Sequence, residues 1–541
     1  MGAQGQRLRL FVRADAEGDQ KKIDSVAYRK DHADAKSVFG EASLLSEKLQ
    51  RMGYLENEIL ENRKINDTTF LFRFYLGKMT KAVHIYIGRD SALQNMGILD
   101  ASKEVLVLPF SETEQFLNDA LKRLEKKGYP LAKLRLADIK NADGVMSAVL
   151  DFKAEKRREV DGIVINGYDK FPEGHKREIW RRYRNKVLSQ ETLKKIHDDF
   201  DRFQFVSQVK YPEILFKTDT TKVYVYLEKS KPNRFDGFVG FGNSESGSVK
   251  INGYLDLLLV NFINAGERFN LYWKSDGNRQ TTFNATLELP YMFKSPLGLK
   301  TSLNIFKQDS TFQKTQTVVD LGYYFNYNTR LYFGYQSAES NDIQNLAGSA
   351  IKDYSNSFVT SSFEFTQFRN DDLLFPERTG INIKGGVGKR ESGSSENRQF
   401  FISADLRHAF YLNAKNSINI RSQNFYLQSG DYLANELFRF GGINSIRGFN
   451  ENSLQANVFS SILTEYRYVL APAIYIHTIA DFGYYQDKTA ENEGNLLGIG
   501  LGFGLLTKNG LFKIVYANGS AGEQQIKFSN SVMHLSFQTK F

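Results

Sequence analysis

Three charged residues pose the first chemical question in this chain. Arg447 lies in the run Phe440-Gly441-Gly442-Ile443-Asn444-Ser445-Ile446-Arg447-Gly448-Phe449, framed by glycines. The run sits among short, aromatic-rich segments of alternating polarity. If those segments close into a membrane barrel, Arg447 is costly inside it unless an acidic partner meets it. Two candidate partners lie downstream, Glu465 and Asp481. The chemistry expected is ion pairing rather than bond making.

The other reactive residue types assemble no enzyme. The chain has 0 cysteines, which excludes thiol catalysis and thiolate metal sites. Its 7 histidines show no metal-ligand spacing, and His477 and His534 read as polar residues facing a barrel interior. Gly500, Gly502 and Gly504 have the spacing of a phosphate loop but the context of a strand. Asp371-Asp372 could meet a cation but reads as a turn. Lys176–Lys186 is basic, yet Ile179, Trp180 and Tyr183 recur at helical spacing within it, so its charge marks a solvated helix face rather than a nucleic-acid site. No catalytic residue, metal, cofactor or nucleic acid is expected.

The elements that must position Arg447, Glu465 and Asp481 are strands. From residue 233 to 541 the chain offers sixteen segments of alternating character, beginning with Phe235–Gly242. The last is the clearest: Met533, Leu535, Phe537, Thr539 and Phe541 fall on one face, and His534, Ser536, Gln538 and Lys540 on the other. In a membrane barrel the apolar face meets lipid and the polar face a wet lumen. An even strand count closes an antiparallel barrel, and closure removes the edges that lipid cannot satisfy. A soluble β-sandwich or propeller is the competing reading. With Phe482 and Tyr484 outward, Asp481 and His477 face inward. The same alternation turns Glu465 and Arg467 inward on the preceding strand. Gly237, Gly240 and Gly242 weaken the first strand, because glycine packs poorly in a sheet.

The chain ahead of this region is a different material. Of the 71 Lys and Arg, 44 precede Phe235, with 35 of the 62 Asp and Glu, so nearly all of the net charge of +9 lies there. Gly-Tyr recurs at Gly53-Tyr54, Gly128-Tyr129 and Gly167-Tyr168. Around these pairs the patterning gives three β-α-α-β-β units, at 1–79, 80–156 and 157–232. The Gln20–Ala35 stretch is the least regular part. A generic α+β surface domain is the alternative for each unit. No run of about 18 apolar residues offers a transmembrane helix. Residues 1–10 are too short and polar for a secretory leader, so export implies a processed or engineered start, with Ala3-Gln4 as the candidate remnant of a cleavage site.

With these elements in place, the motifs resemble those of the BamA/TamA outer-membrane superfamily. Arg447-Gly448-Phe449 is similar to its loop motif. Thr464-Glu465-Tyr466-Arg467-Tyr468 and Ala480-Asp481-Phe482-Gly483 are similar to the two strand motifs that follow, with Tyr466 and Ala480 as departures. Leu289-Pro290-Tyr291-Met292-Phe293 and Leu374–Gly380 fall where the family carries turn motifs. The three units resemble POTRA (polypeptide-transport-associated) domains, and the final Phe541 resembles the signal read by the barrel-assembly machinery.

The resemblance implies α+β POTRA repeats ahead of a 16-stranded transmembrane β-barrel, in the outer membrane of a Gram-negative bacterium. It implies a loop folded into the lumen, where Arg447 pairs with Asp481 and Glu465, Gly448 allows tight passage and Phe449 wedges the tip. It further implies unfolded or β-rich polypeptide clients, handled through a seam between the first and last strands. That seam is marked by Gly237, Gly240, Gly242, Phe537 and Phe541. Three POTRA units look most like TamA, which implies a TamB-like periplasmic partner. A two-partner secretion transporter and a passive channel or receptor are the alternative functions.

Overall fold

The computed structural model describes residues 7–88, 91–100, 102–243, 249–275, 280–308, 311–344, 351–369, 372, 374–508, 510–522 and 531–540. Asp371, Phe541 and the Ala3-Gln4 pair lie outside them. The chain forms two compact units, one of residues 1–161, 185–194 and 216–221, the other of residues 162–184, 195–215 and 222–541.

The first unit contains two four-stranded mixed sheets. In one, Leu8–Ala14 lies between the short edge strand Asp31–His32 and the parallel strand Thr69–Tyr75, which pairs in turn with Glu58–Asn66. Leu10, Val12 and Ala14 alternate into the core, beneath Val38, Ala42, Leu45 and Leu49 of the helix Ala35–Arg51. That helix starts at Asp34, whose carboxylate accepts from the Ser37 N–H at 2.7 Å. The second sheet runs Val105–Pro109, Ala82–Tyr86, Val145–Lys153, Lys133–Ala142 and packs on the helix Phe110–Lys126.

The recurrent Gly-Tyr pair has a physical reason. Gly53 and Gly128 end their helices at φ +106° and +97°, and a Cβ on Gly53 would stand 2.3 Å from the Thr80 carbonyl oxygen. Gly167 instead follows a strand, at φ +88°, against the Leu227 carbonyl. The edge strands Asp31–His32 and Val105–Pro109 are additions to the expected β-α-α-β-β pattern. In the polar Gln20–Ala35 stretch, Gln20–Asp24 is helical and no further helix forms until Ala35 opens the helix Ala35–Arg51.

A third sheet, ordered Val206–Phe216, Thr221–Lys229, Gly162–Asn166, with the helices Glu173–Tyr183 and Gln190–Asp201, lies mostly in the second unit. A closed barrel of sixteen strands follows. These are β1 (Arg234–Asn243), β2 (Val249–Val260), β3 (Arg268–Ser275), β4 (Gln280–Met292), β5 (Leu297–Gln308), β6 (Phe312–Asn326), β7 (Thr329–Asp342), β8 (Tyr354–Phe368), β9 (Glu377–Ser392), β10 (Ser395–Tyr411), β11 (Asn416–Gln428), β12 (Val458–Ala471), β13 (Ile474–Asp487), β14 (Asn492–Thr507), β15 (Gly510–Ala521) and β16 (Val532–Lys540). All neighbours are antiparallel. Their side chains alternate between two faces: Phe482 is 58% exposed on the outside of β13, while Asp481 beside it is 0% exposed.

Closure is uneven. Each neighbouring pair from β1–β2 to β15–β16 is in register over eight or more residues. Among the described residues, β1 and β16 pair only at Arg234–Lys540 and Phe235–Thr539. Beyond those pairs, β1 from Asp236 upward is laddered on one side alone, to β2.

The helix Glu173–Tyr183 seats His175 against the barrel turns. The imidazole is fully buried among Phe203, Phe205, Tyr291 and Tyr327, with ring centroids 4.7 to 5.4 Å apart. Gly266 leaves the space for it, since a Cβ there would fall 1.8 Å from the ring. Neither ring nitrogen has a hydrogen-bond partner among the described residues, and burial pushes the imidazole down to about 3. The folded protein therefore keeps His175 neutral, while the unfolded chain takes up a proton below about pH 6.5. Stability from this site is full above that pH and is lost as pH falls toward 3. At pH 5 the loss is about 2 kcal/mol, from ~1.4 kcal/mol per unit. His175→Phe removes this dependence, which thermal unfolding of both proteins between pH 7.5 and 5 measures.

Candidate functional site: a loop held inside the barrel

The segment between β11 and β12 folds into a short hairpin, Phe438–Phe440 against Leu454–Ala456. Its aromatic residues fasten it to the wall: Phe438 stacks on Phe425 of β11 at 4.8 Å, and Phe440 on Phe459 of β12 at 4.1 Å. Gly441 and Gly442 turn the chain at φ +104° and +99°. The tip then brings Arg447 to the inner face of β12 and β13.

Arg447 uses all of its guanidinium nitrogens there. Nε and Nη2 donate to the two oxygens of Asp481 at 2.8 and 2.5 Å, and its backbone N–H donates to the same carboxylate at 3.0 Å. Nη1 donates to Glu465 at 2.5 Å and Nη2 to the Thr464 carbonyl at 3.3 Å. Glu465 also accepts from Arg467 Nε at 2.8 Å, and the Arg467 guanidinium lies 4.4 Å from the Phe375 ring centre. The planar fork explains why arginine serves here: two parallel N–H groups match one carboxylate while the third nitrogen reaches a second acid.

The wall is cut to receive the tip. Gly448 has φ +89°, and a Cβ on it would lie 2.3 Å from the Asn518 backbone. A Cβ on Gly498 of β14 would meet the Arg447 carbonyl oxygen at 2.3 Å, and Gly519 of β15 leaves room for the half-buried Phe449 ring. Gly448→Ala is expected to lift the tip off β15. Proteinase K would then cut near residue 448 in the folded variant faster than in the wild type, by at least the roughly tenfold that ~1.4 kcal/mol represents.

Two anchors of the loop escape sequence reasoning. At its stem, Arg390 of β9, 1% exposed, pairs with Glu436 at 2.7 Å and with Asp431. Glu436 also accepts from Gln399 of β10 at 2.9 Å. Beyond the tip, Glu451 accepts from the Tyr272 hydroxyl of β3 at 2.8 Å and forms an ion pair with Lys274. No local spacing signals either arrangement, because each joins residues far apart in the chain. Beside the loop lies a cavity of about 1070 Å³ lined by mixed charge, including the pairs Lys300–Glu364 and Arg421–Asp405.

The remaining glycines noted in the sequence, and Asp372, lie in strands and turns. Gly502 and Gly504 of β14 pass beneath the rings of His477 and Tyr475, each 2.0 Å from where a Cβ would be. Asp372 caps a turn, accepting from the Phe375 N–H at 2.8 Å. Gly237, Gly240 and Gly242 lie in β1, and Phe537 faces outward from β16 at 41% exposure. Among the described residues, no group of three or more His, Asp or Glu could hold a metal ion.

No protein-family model and no curated protein matches the chain. Solved structures do. CdiB from Acinetobacter baumannii matches at 14% identity and a TM-score of 0.52, over 92% of this chain and 97% of that one. CdiB from Escherichia coli matches at 13% identity and a TM-score of 0.52, over the same shares. BamA from Haemophilus ducreyi lacking POTRA domains 1–3 matches at 14% identity and a TM-score of 0.48, over 84% of this chain and 99% of that one. The likeness to the two CdiB structures is one of fold and spans nearly the whole of each chain. The fold is the one the BamA/TamA resemblance implies: α+β units of POTRA-like topology ahead of a closed 16-stranded antiparallel β-barrel.

Proposed function

We propose that this protein moves polypeptides into or across the outer membrane of a Gram-negative bacterium. The POTRA-like units, at 1–79, 80–156 and 157–232, stand in the periplasm and receive unfolded or β-rich clients. A TamB-like protein is the partner this arrangement suits. The barrel, 233–541, passes clients on through the seam between β1 and β16. Arg447, held by Asp481 and Glu465, keeps the loop seated in the lumen, with Gly448 and Phe449 fitting it to the wall.

The observation that carries this reading is the short ladder between β1 and β16. A sheet edge in lipid leaves N–H and C=O groups unsatisfied, so an incoming strand gains by pairing with it. Gly237, Gly240 and Gly242 lower the cost of bending β1 away. Neither a nucleotide nor a catalytic group enters this mechanism.

Depleting the protein and quantifying the outer-membrane, surface and secreted proteomes tests the reading. Selective loss of other barrel proteins supports insertion. Loss of one secreted protein with barrels intact supports dedicated secretion. Unchanged proteomes, together with steady single-channel conductance, would leave a passive channel instead.

A further inference from the structure

The loop tip carries two opposite charges four residues apart, and they reach opposite sides of the seam. Arg447 binds Glu465 of β12 and Asp481 of β13. Glu451 binds Tyr272 and Lys274 of β3. Around the barrel, the short way from β13 to β3 runs through β16 and β1. The tip thus bridges the arc that contains the seam.

It bridges that arc where the seam itself is not laddered. Lys274 is in register with Tyr254, and Tyr254 with Phe238, which lies past Phe235, the last residue of β1 paired to β16. On the other flank, Asp481 is in register with Gly498 and Gly498 with Gly519, beyond the Ala517–Val532 pair that ends the β15–β16 ladder among the described residues. Gly442 fits the same design: a Cβ there would press within 3.0 Å of the Glu451 Cα.

We infer that the tip is a latch across the seam, with Glu451 as its releasable end. The Asp481 end is buried and many-bonded, while Lys274 and Glu451 are 37% and 23% exposed in their side chains, so water reaches and weakens this end more readily. Release of Glu451 from Tyr272 and Lys274 frees β1–β3 to swing from β16 while the loop stays docked on β12 and β13. This regulation rests on the seam being the route for polypeptides.

The absence of native cysteine makes the test clean. A Phe235→Cys/Thr539→Cys protein in lipid bilayers reports seam closure by its rate of disulfide formation. In that background, Glu451→Gln and Lys274→Gln are each expected to slow the rate several-fold and to raise channel conductance. Lys274→Glu does the same, and adding Glu451→Lys restores the rate. Heat-modifiable migration on gels shows that each variant is folded. Rates and conductance unchanged by Glu451→Gln and Lys274→Gln would overturn the latch. The two readings fail separately. If the 235/539 disulfide blocks transport but Glu451→Gln leaves the seam unmoved, the latch falls and transport through the seam stands. If Glu451→Gln loosens the seam but locking it leaves transport intact, the latch stands and the transport route falls.

Discussion

Replacing Arg447 by alanine is expected to cost about 3–5 kcal/mol and to release the loop from the lumen wall, because it leaves the Asp481 carboxylate buried without its counter-charge. The thermal transition of the folded barrel falls, and proteinase K cuts the 441–453 segment in protein that remains closed. In the Phe235→Cys/Thr539→Cys background the disulfide is expected to form more slowly as well, since the loop no longer bridges the seam. Arg447→Lys recovers part of the loss. An ammonium restores the charge but cannot donate along two parallel lines to Asp481 while reaching Glu465. Arg447→Ala/Asp481→Ala is expected to be less damaging than the sum of its parts, as it removes both charges together. Equal losses for Arg447→Lys and Arg447→Ala would show that the fork geometry does not matter.

Arg390→Ala is expected to have a comparable effect from the other end of the loop. Both members of the Arg390–Glu436 pair have side chains that are 1% exposed, so the variant strands Glu436 in the buried stem of the loop. The Glu436 carboxylate also accepts from the Leu433 N–H at 2.9 Å and from Gln399, so losing its cation disturbs the turn at which the loop leaves β11. The expected cost is again about 3–5 kcal/mol. Arg390→Met/Glu436→Gln removes both charges and should recover most of it. Thermal unfolding of the single and double variants measures this directly. A double variant as unstable as Arg390→Ala would mean that packing of the arginine stem, rather than the stranded charge, sets the cost.

The sequence is most informative in the barrel strands. Alternation in Met533, Leu535 and Phe537 leaves one assignment of faces, and repeating it along the chain gives the sixteen strands. Arg447, Asp481 and Glu465 stand out for a related reason: fixed charges on inward positions require partners, and few acids are available on the strands that follow. Other contacts leave no such trace. Alternation says which face a residue takes but not how far two strands stay paired, so the ladder of two residue pairs between β1 and β16 among the described residues cannot be read from it. Arg390 and Glu436, or Lys274 and Glu451, meet only after the barrel has closed and the loop has turned inward. His175 is similar. Its helix is visible from Ile179 and Tyr183, but the Tyr291 and Tyr327 rings that enclose it come from barrel turns more than a hundred residues away.

One measurement bears most directly on the claim that polypeptides pass through the seam. Cells depleted of the native protein would be supplied with the Phe235→Cys/Thr539→Cys form. The two positions face each other in the ladder, at a spacing a disulfide can span. Surface and secreted proteins would then be quantified under oxidising conditions and again after addition of a reductant. Clients are expected to disappear from the surface or medium while the disulfide is closed and to return when it is reduced. Normal levels of the proteins lost on depletion, with the disulfide shown to be complete, would contradict it.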